Sequence, residues 1–230
     1  MSRQASGSNR EKVLLCFSGG KDSALALWEI QRSGQYQIIA LLTTVTGDYD
    51  RISMHGVRTA LVEQQAESLG YPLERVSITA GADNAEYEAQ MRQVLTRYRD
   101  TGVRKVVFGD LFLEEVRSYR EANLAKVDMQ AVFPLWGRPT HELAQEFIEA
   151  GFRAVITCVD SELLDGRFVG RDFDGEFLAE LPAGVDFCGE NGEFHSFVYA
   201  GPIFNQPIAF SRGETVVREN RFHFCDLMPS

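Results

Sequence analysis

The chain of 230 residues is poor in cysteine, short of basic residues and without any long apolar run. Its four cysteines, Cys16, Cys158, Cys188 and Cys225, form no CxxC pair, and Cys16 and Cys158 sit inside apolar runs where reduced core thiols belong. Neither a disulfide framework nor a zinc site is expected. Lys and Arg number 23 against 33 Asp and Glu, a formal charge of −10. Broad attraction to a phosphate backbone needs clustered cations, so a nucleic acid is not the expected partner. The apolar runs at 13–17 and 38–42 fall far short of the roughly 20 residues that cross a bilayer, and no membrane span is expected. The opening MSRQASGSNR is polar and lacks the apolar stretch of a secretory signal. Residues 1–10 therefore read as a loose tail, and the cytoplasm is the expected compartment. No internal repeat or low-complexity segment occurs.

What is present is an alternation of strand and helix patterns. Val13 to Phe17 is a short buried strand, and Ala24 to Ser33 carries Leu25, Leu27 and Trp28 at helical spacing before Gly34 stops it. The pattern then predicts strands at 37–44, 76–78, 105–108 and 131–133 and helices at 57–69, 86–98 and 114–126, the helix at 86–98 having Tyr87, Met91, Val94, Leu95 and Tyr98 on one face. Such alternation implies α/β architecture, a parallel sheet with helices on both faces. Ligands on such sheets bind beyond the carboxyl ends of strands where the strand order reverses, which points to the loops 18–23, 45–56 and 109–113. A helix at 142–150 and a strand at 154–158 continue the pattern, but beyond Pro182 the chain turns to Gly-rich loops and short strands, at 194–200, 208–210 and a pair near 215–226. The chain thus reads as a first domain at 11–130 and a smaller C-terminal α/β domain at 131–230.

Ser18-Gly19-Gly20-Lys21-Asp22-Ser23 lies between the first strand and the first helix. Backbone N–H groups at a helix start point outward there and favour an anion. The glycines let backbone approach a phosphate closely, Ser18 and Ser23 offer hydroxyls, Lys21 adds a mobile positive charge, and Asp22 offers a carboxylate to Mg2+. The spacing is not that of a Walker A loop, which sets four residues between its glycine and its GK pair, so γ-phosphate transfer is not expected. A plain glycine-rich turn between strand and helix is the bland alternative. The hexapeptide closely resembles the PP-loop, which in its superfamily grips the β,γ-pyrophosphate of ATP as a leaving group, so that AMP is the product. The adenine nucleotide alpha hydrolase type of Rossmann-like fold is what that resemblance implies for the first domain.

The segment Cys188-Gly189-Glu190-Asn191-Gly192-Glu193-Phe194-His195-Ser196 resembles the carboxyl-terminal signature of the diphthine-ammonia ligase family. Met54-His55-Gly56, Phe108-Gly109-Asp110, Arg117 with Glu121, Pro134-Leu135-Trp136-Gly137 and Gly201-Pro202-Ile203-Phe204 also look like that family's pattern. The resemblance implies an AMP-forming ligase that adenylates a carboxylate and lets ammonia displace AMP to give an amide. It implies ATP and Mg2+ as cofactors. It makes Lys21, Glu190 and Glu193 the catalytic candidates, the two glutamates binding ammonium and accepting its proton. The nucleotide would lie on residues 18–23 with Gly109, Arg117 and Glu121, and the metal on Asp22. Asn191 in place of a glycine and His195-Ser196 in place of Glu-Thr resemble a bacterial branch, so the reaction class carries over and the carboxylate acceptor stays open. Association into a homo-oligomer is equally open.

Each candidate has a plainer reading. Glu190 and Glu193 read as solvated loop charges, Arg117 and Glu121 as a surface i, i+4 pair, His55 and His195 as structural or solvated histidines, and Trp136 as core or an interdomain contact. Two rival functions stand beside the ligase. One is PP-loop sulfur transfer to tRNA, which calls for an active cysteine and a basic surface. The other is a non-catalytic ATP sensor, which has no need of the pyrophosphate-handling groups.

Overall fold

The structure, a computed structural model, describes residues 10–46, 51–52, 56–79 and 84–230. The expected tail up to residue 9, and Met54 and His55, lie outside the described residues. The first half begins with β1 (Glu11–Cys16), α1 (Lys21–Ser33), β2 (Tyr36–Thr46), β3 (Arg51–Ile52), α2 (Thr59–Leu69) and β4 (Leu73–Ile78). It continues through α3 (Asn84–Asp100), β5 (Lys105–Val107), α4 (Glu114–Ala125) and β6 (Gln130–Val132). β1, β2, β4, β5 and β6 run parallel in the order β4-β2-β1-β5-β6, and β3 pairs antiparallel with the end of β2. The order reverses between β1 and β5, and the loops after these two strands therefore face each other across a crevice.

Period-two alternation along β1 sends its side chains to both faces of the sheet. Val13 and Leu15 join a core with Leu27 and Ile30 of α1 and Leu61 and Val62 of α2. Leu14 joins a second core with Leu95 of α3 and Leu124 of α4, with Met91 packed against it. Both faces are thus covered by helices, which is why the strands read as near-continuous apolar runs. Helix α1 stops where Gly34 takes a left-handed conformation at φ 63° and its N–H turns back to the carbonyl of Gln31.

The second half comprises α5 (Thr140–Glu149), β7 (Arg153–Asp160), a 3-10 turn at Gly166–Phe168, α6 (Gly175–Glu180), β8 (Phe194–Ala200), β9 (Phe210–Arg218) and β10 (Phe222–Pro229). Its four strands form an antiparallel sheet in the order β8-β7-β10-β9. Residue 130, where the sequence reading divides the chain, falls in β6, and the strand expected at 131–133 completes the edge of the first sheet. The strand expected at 208–210 differs as well. Ile208 is a brace whose N–H donates to the Tyr199 carbonyl at 2.7 Å, and pairing begins at Phe210. Helix α6 has too few residues to show a period; what starts it is Asp174, whose carboxylate accepts the N–H of Phe177 at 2.8 Å.

An aromatic core binds the halves together. Phe147 stacks on Phe152 at 4.8 Å, Phe152 meets the edge of Trp28 from α1 at 5.8 Å, and Phe173, Phe177 and Phe194 continue the cluster. Buried Phe147 thus stands at the junction of two sheets. Phe147→Ala is expected to lower unfolding free energy by about 3–5 kcal/mol. In urea titration the midpoint should fall with an unchanged slope; a loss below about 1 kcal/mol would show the two halves not to depend on this contact.

Candidate functional site

The loop after β1 is held in shape by residues remote in sequence. Gly19 has φ 81°, and a Cβ there would lie 2.6 Å from Gln65 Oε1. Its carbonyl accepts the N–H of Val198 in β8 at 2.9 Å and the amide of Gln65 at 3.0 Å, and the same Gln65 nitrogen donates to the Val198 carbonyl at 2.6 Å. Ser18 and Ser23 hydroxyls lie 3.3 Å apart, Ser18 Oγ accepts the N–H of Gly20 at 3.3 Å, and Ser23 Oγ donates to the Gly20 carbonyl at 2.9 Å. Gly20 is the extended residue before α1 and has no side chain to cap it. The cap comes from the other sheet: Ser196 Oγ accepts the N–H of Lys21 at 3.2 Å.

Lys21 departs from the mobile cation expected of it. It is 4% exposed, its ammonium donates to the Cys188 carbonyl and to Asp22 Oδ2 at 2.8 Å, and it sits near the rings of Phe173 at 5.9 Å and Phe194 at 5.3 Å. Burial works against its charge, but Asp22 and Glu190 outweigh burial and hold the pKa above the ordinary lysine value. The ammonium is therefore a fixed charge that ties the loop to the carboxyl-terminal segment.

That segment is organised by two carboxylates. Asp186 Oδ1 accepts the N–H groups of Cys188 at 2.9 Å and Glu190 at 3.1 Å, and its Oδ2 accepts the Thr140 hydroxyl at 2.5 Å. Glu193 is 3% exposed and accepts the N–H of Asp186 at 3.0 Å together with the backbone N–H and side-chain amide of Asn191, each at 3.0 Å. Glu193, a catalytic candidate by sequence, has its oxygens engaged inside the loop and is not among the residues that line the cavity. Glu190 does line it. Its Oε1 accepts the N–H of Leu111, just beyond β5, at 2.8 Å. Burial pushes the Glu190 carboxyl up to about 7, the Leu111 N–H pulling the other way and the charge of Asp22 adding to the rise.

From the β5 side come Gly109 and Asp110. A Cβ on Gly109 would lie 2.8 Å from the backbone of Asp22, so this glycine lets the two facing loops touch. Arg117 and Glu121 are the residues of α4 expected near the nucleotide. They pair with each other at 2.9 Å on the outer face of α4, Arg117 lying over Phe133 and Trp136 at 5.2 and 4.7 Å, and neither lines the cavity. Trp136 serves this packing. The cation of α4 that does reach the cavity is Arg120, missed by sequence reasoning, which grips Asp110 with two bonds of 2.6 and 3.0 Å and lies over the Phe108 ring at 4.5 Å. An Arg ten residues after a strand-end Asp was the available signal, and nothing in the spacing ranked it above Arg117.

These groups surround a cavity of about 740 Å3 whose lining includes Ser18, Lys21, Asp22, Ser23, Asp110 and Arg120, with Glu190, His195 and Ser196 from the second half. Its size lies within the range of small-molecule sites. Among the described residues no group of three or more His, Cys, Asp or Glu could hold a metal. A single carboxylate such as Asp22 acting together with substrate phosphates is nonetheless a common way of holding Mg2+, and the donor set fits that mode. Burial pushes the thiols of Cys16, Cys158 and Cys188 well above the ordinary cysteine range, so none is a thiolate at neutral pH. No helix among the described residues is long and apolar enough to cross a membrane.

Fold and loop together define an α/β protein with a glycine-rich loop at the reversal of a parallel sheet. Residues 11–130 match the family described as diphthamide synthase N-terminal domain and residues 139–226 the diphthamide synthase C-terminal domain. The chain belongs to the diphthamide synthase family. It is 26% identical over 230 residues to diphthine--ammonia ligase of Danio rerio, covering 91% of this chain and 90% of that protein. The enzymes of that name from Bos taurus and Homo sapiens are 26% and 25% identical, covering 89% and 90% of this chain and 85% of each relative. Among solved structures, the U34-tRNA thiolase NcsA from Methanococcus maripaludis, with its [4Fe-4S] cluster, is 18% identical with a TM-score of 0.37 over 61% of this chain and 56% of that one.

The two glutamates separate by experiment. Between the ordinary glutamate value and about 7, folded protein keeps a proton on Glu190 that the unfolded chain has released. Its contribution to stability is full below the unfolded value and is lost as pH rises through about 7. Thermal midpoints of wild type should therefore fall more between pH 5 and pH 8 than those of Glu190→Gln; equal falls would contradict the placement of Glu190. Glu193→Gln sets an amide against N–H donors and should cost about 1–3 kcal/mol, visible as a lower midpoint.

Proposed function

We propose that the protein is an AMP-forming, ATP-dependent amide ligase: a carboxylate acceptor attacks the α-phosphate of ATP, pyrophosphate leaves, and ammonia then displaces AMP from the acyl-adenylate. The relatives' name specifies diphthine as the acceptor. For this chain we carry over the reaction and leave the carboxylate open, because Asn191, His195 and Ser196 differ from the family's usual residues. One observation carries the reading: a PP-loop sequence at the sheet reversal faces Glu190, a carboxyl whose pKa of about 7 suits proton transfer at neutral pH.

The parts divide the work as follows. The loop N–H groups with Ser18 and Ser23 hold the β,γ-phosphates, and fixed Lys21 stabilises charge on the departing pyrophosphate without reorganising. Asp22 is the ligand through which Mg2+ would be held; the ion's chemistry is neutralisation of phosphate charge. Glu190 takes the proton that ammonia loses as the C–N bond forms and the P–O-linked acyl carbon releases AMP. Residues 11–130 act as the ATP-binding part and 131–230 supply Glu190. Sulfur transfer is disfavoured by buried, protonated thiols.

Incubation with ATP, Mg2+, ammonium and a panel of carboxylates should release AMP and pyrophosphate in equal amounts, faster when the right carboxylate is present. ADP as the nucleotide product would contradict the proposal. Lys21→Met should cut turnover at least about a hundredfold, and because Lys21 ties the loop to Cys188, the thermal midpoint should fall as well. Turnover within a few-fold of wild type would remove Lys21 from the mechanism.

A further inference from the structure

Arg120 is the cation of the cavity to which the mechanism above gives no task. It stands in the second turn of α4, and side chains on a helix lean toward its amino-terminal end, so the guanidinium reaches back to the loop that follows β5. There Nε and Nη2 bond the two oxygens of Asp110 at 2.6 and 3.0 Å, and the guanidinium carbon lies 4.5 Å from the centre of the Phe108 ring. A guanidinium carries five N–H groups. This side-on grip uses two of them, and Nη1 has no bond among the described residues. The pair is not a closed unit either: the Arg120 side chain keeps 28% exposure against 13% for Asp110, and it lines the cavity.

We infer that Arg120 holds the α-phosphate of the nucleotide, the Nη1 edge of its fork donating to the non-bridging oxygens, with Asp110 as the positioning residue that fixes the guanidinium plane. The inference rests on the nucleotide-site reading above. Its partner Asp110 stands between Gly109, where a Cβ would lie 2.8 Å from the backbone of Asp22, and Leu111, whose N–H holds Glu190. Arg120 is thus tied to the stretch of loop that joins the pyrophosphate end of the site to its proton acceptor. The α-phosphate belongs there, one bridging oxygen from the β-phosphate and bonded to the acyl group in the adenylate. Among the described residues that line the cavity, the lysines and arginines are Lys21 and Arg120, and Lys21 is fixed at the glycine loop. Attack of a carboxylate on the α-phosphate brings two anions together, and a preorganised cation at that phosphate stabilises the charge that builds on its oxygens. A planar fork matches two phosphate oxygens as an ammonium does not. No proton moves at Arg120, whose guanidinium stays charged throughout.

The test measures binding of AMP, adenosine and inorganic pyrophosphate to wild type, Arg120→Met and Arg120→Lys, with thermal midpoints alongside. AMP and adenosine differ by the α-phosphate alone. Loss of hydrogen bonding to a charged group should weaken AMP binding by about tenfold to a hundredfold in Arg120→Met, while adenosine and pyrophosphate bind as they do to wild type. Arg120→Lys keeps the charge and a bond to Asp110 but loses the fork; its AMP affinity should be intermediate, and it carries the test alone if Arg120→Met does not fold. Wild-type AMP affinity in either variant would overturn the inference, and a raised KM for the carboxylate beside it would give Arg120 to the acceptor instead. A joint loss of AMP, adenosine and pyrophosphate binding with a lower midpoint would overturn it too, by showing a strut for the loop after β5. Wild type that binds neither AMP nor pyrophosphate would remove the nucleotide-site reading and this inference with it, a result distinct from any variant-specific outcome.

Discussion

The carbonyl of Gly19 is the point on which the rest of the site depends. A buried backbone carbonyl must find donors, and this one finds them in the N–H of Val198 and the amide of Gln65, which also bonds the Val198 carbonyl. Three bonds thus join the glycine loop, α2 and β8 into one unit. The left-handed conformation of Gly19 lets its carbonyl turn outward to them, and only a residue without a Cβ fits there, since a Cβ would strike Gln65. With the loop fixed from behind, its N–H groups and hydroxyls face the crevice at the sheet reversal, and the second half becomes a wall of the same cavity.

Charge in that cavity is arranged in pairs with one member left over. Lys21 is matched by Asp22, and Arg120 by Asp110 through a two-point contact. Both cations stay charged despite burial because each has a carboxylate beside it. Among the described residues Glu190 accepts the N–H of Leu111 and has no cation bonded to it. Desolvated, and near Asp22 and Asp110, its carboxyl is pushed up to about 7. Its backbone is placed by Asp186, which is itself held by Glu193 and Thr140, so the catalytic candidate rests on a rigid support of three residues.

Local signals in the sequence carried far. β1, the loop and α1 were legible because strand pattern, glycines and helix pattern adjoin, and the parallel sheet followed from alternation alone. Long-range choices were not legible. Lys21 looks like an exposed loop cation until β8 and the segment at 186–193 close over it. Glu190 and Glu193 differ by three positions and look alike, and only the turn at 186–193 decides that one carboxylate faces inward to N–H donors and the other faces the cavity. On α4 the spacing of Arg117 and Glu121 announces a pair, but Asp110 in the loop before the helix selects Arg120. Helix α6 and the 3-10 turn were missed because three to six residues are too few to reveal a period.

The central claim is that the acceptor's own oxygen attacks the α-phosphate. Turnover of an accepted carboxylate labelled with oxygen-18, followed by mass analysis of the products, tests it most directly. The expected result is one labelled oxygen in AMP, since the carboxylate oxygen bonds to the α-phosphate in the acyl-adenylate and leaves with it. Label in inorganic phosphate with ADP as the other product would mean an acyl-phosphate route, and would contradict the account.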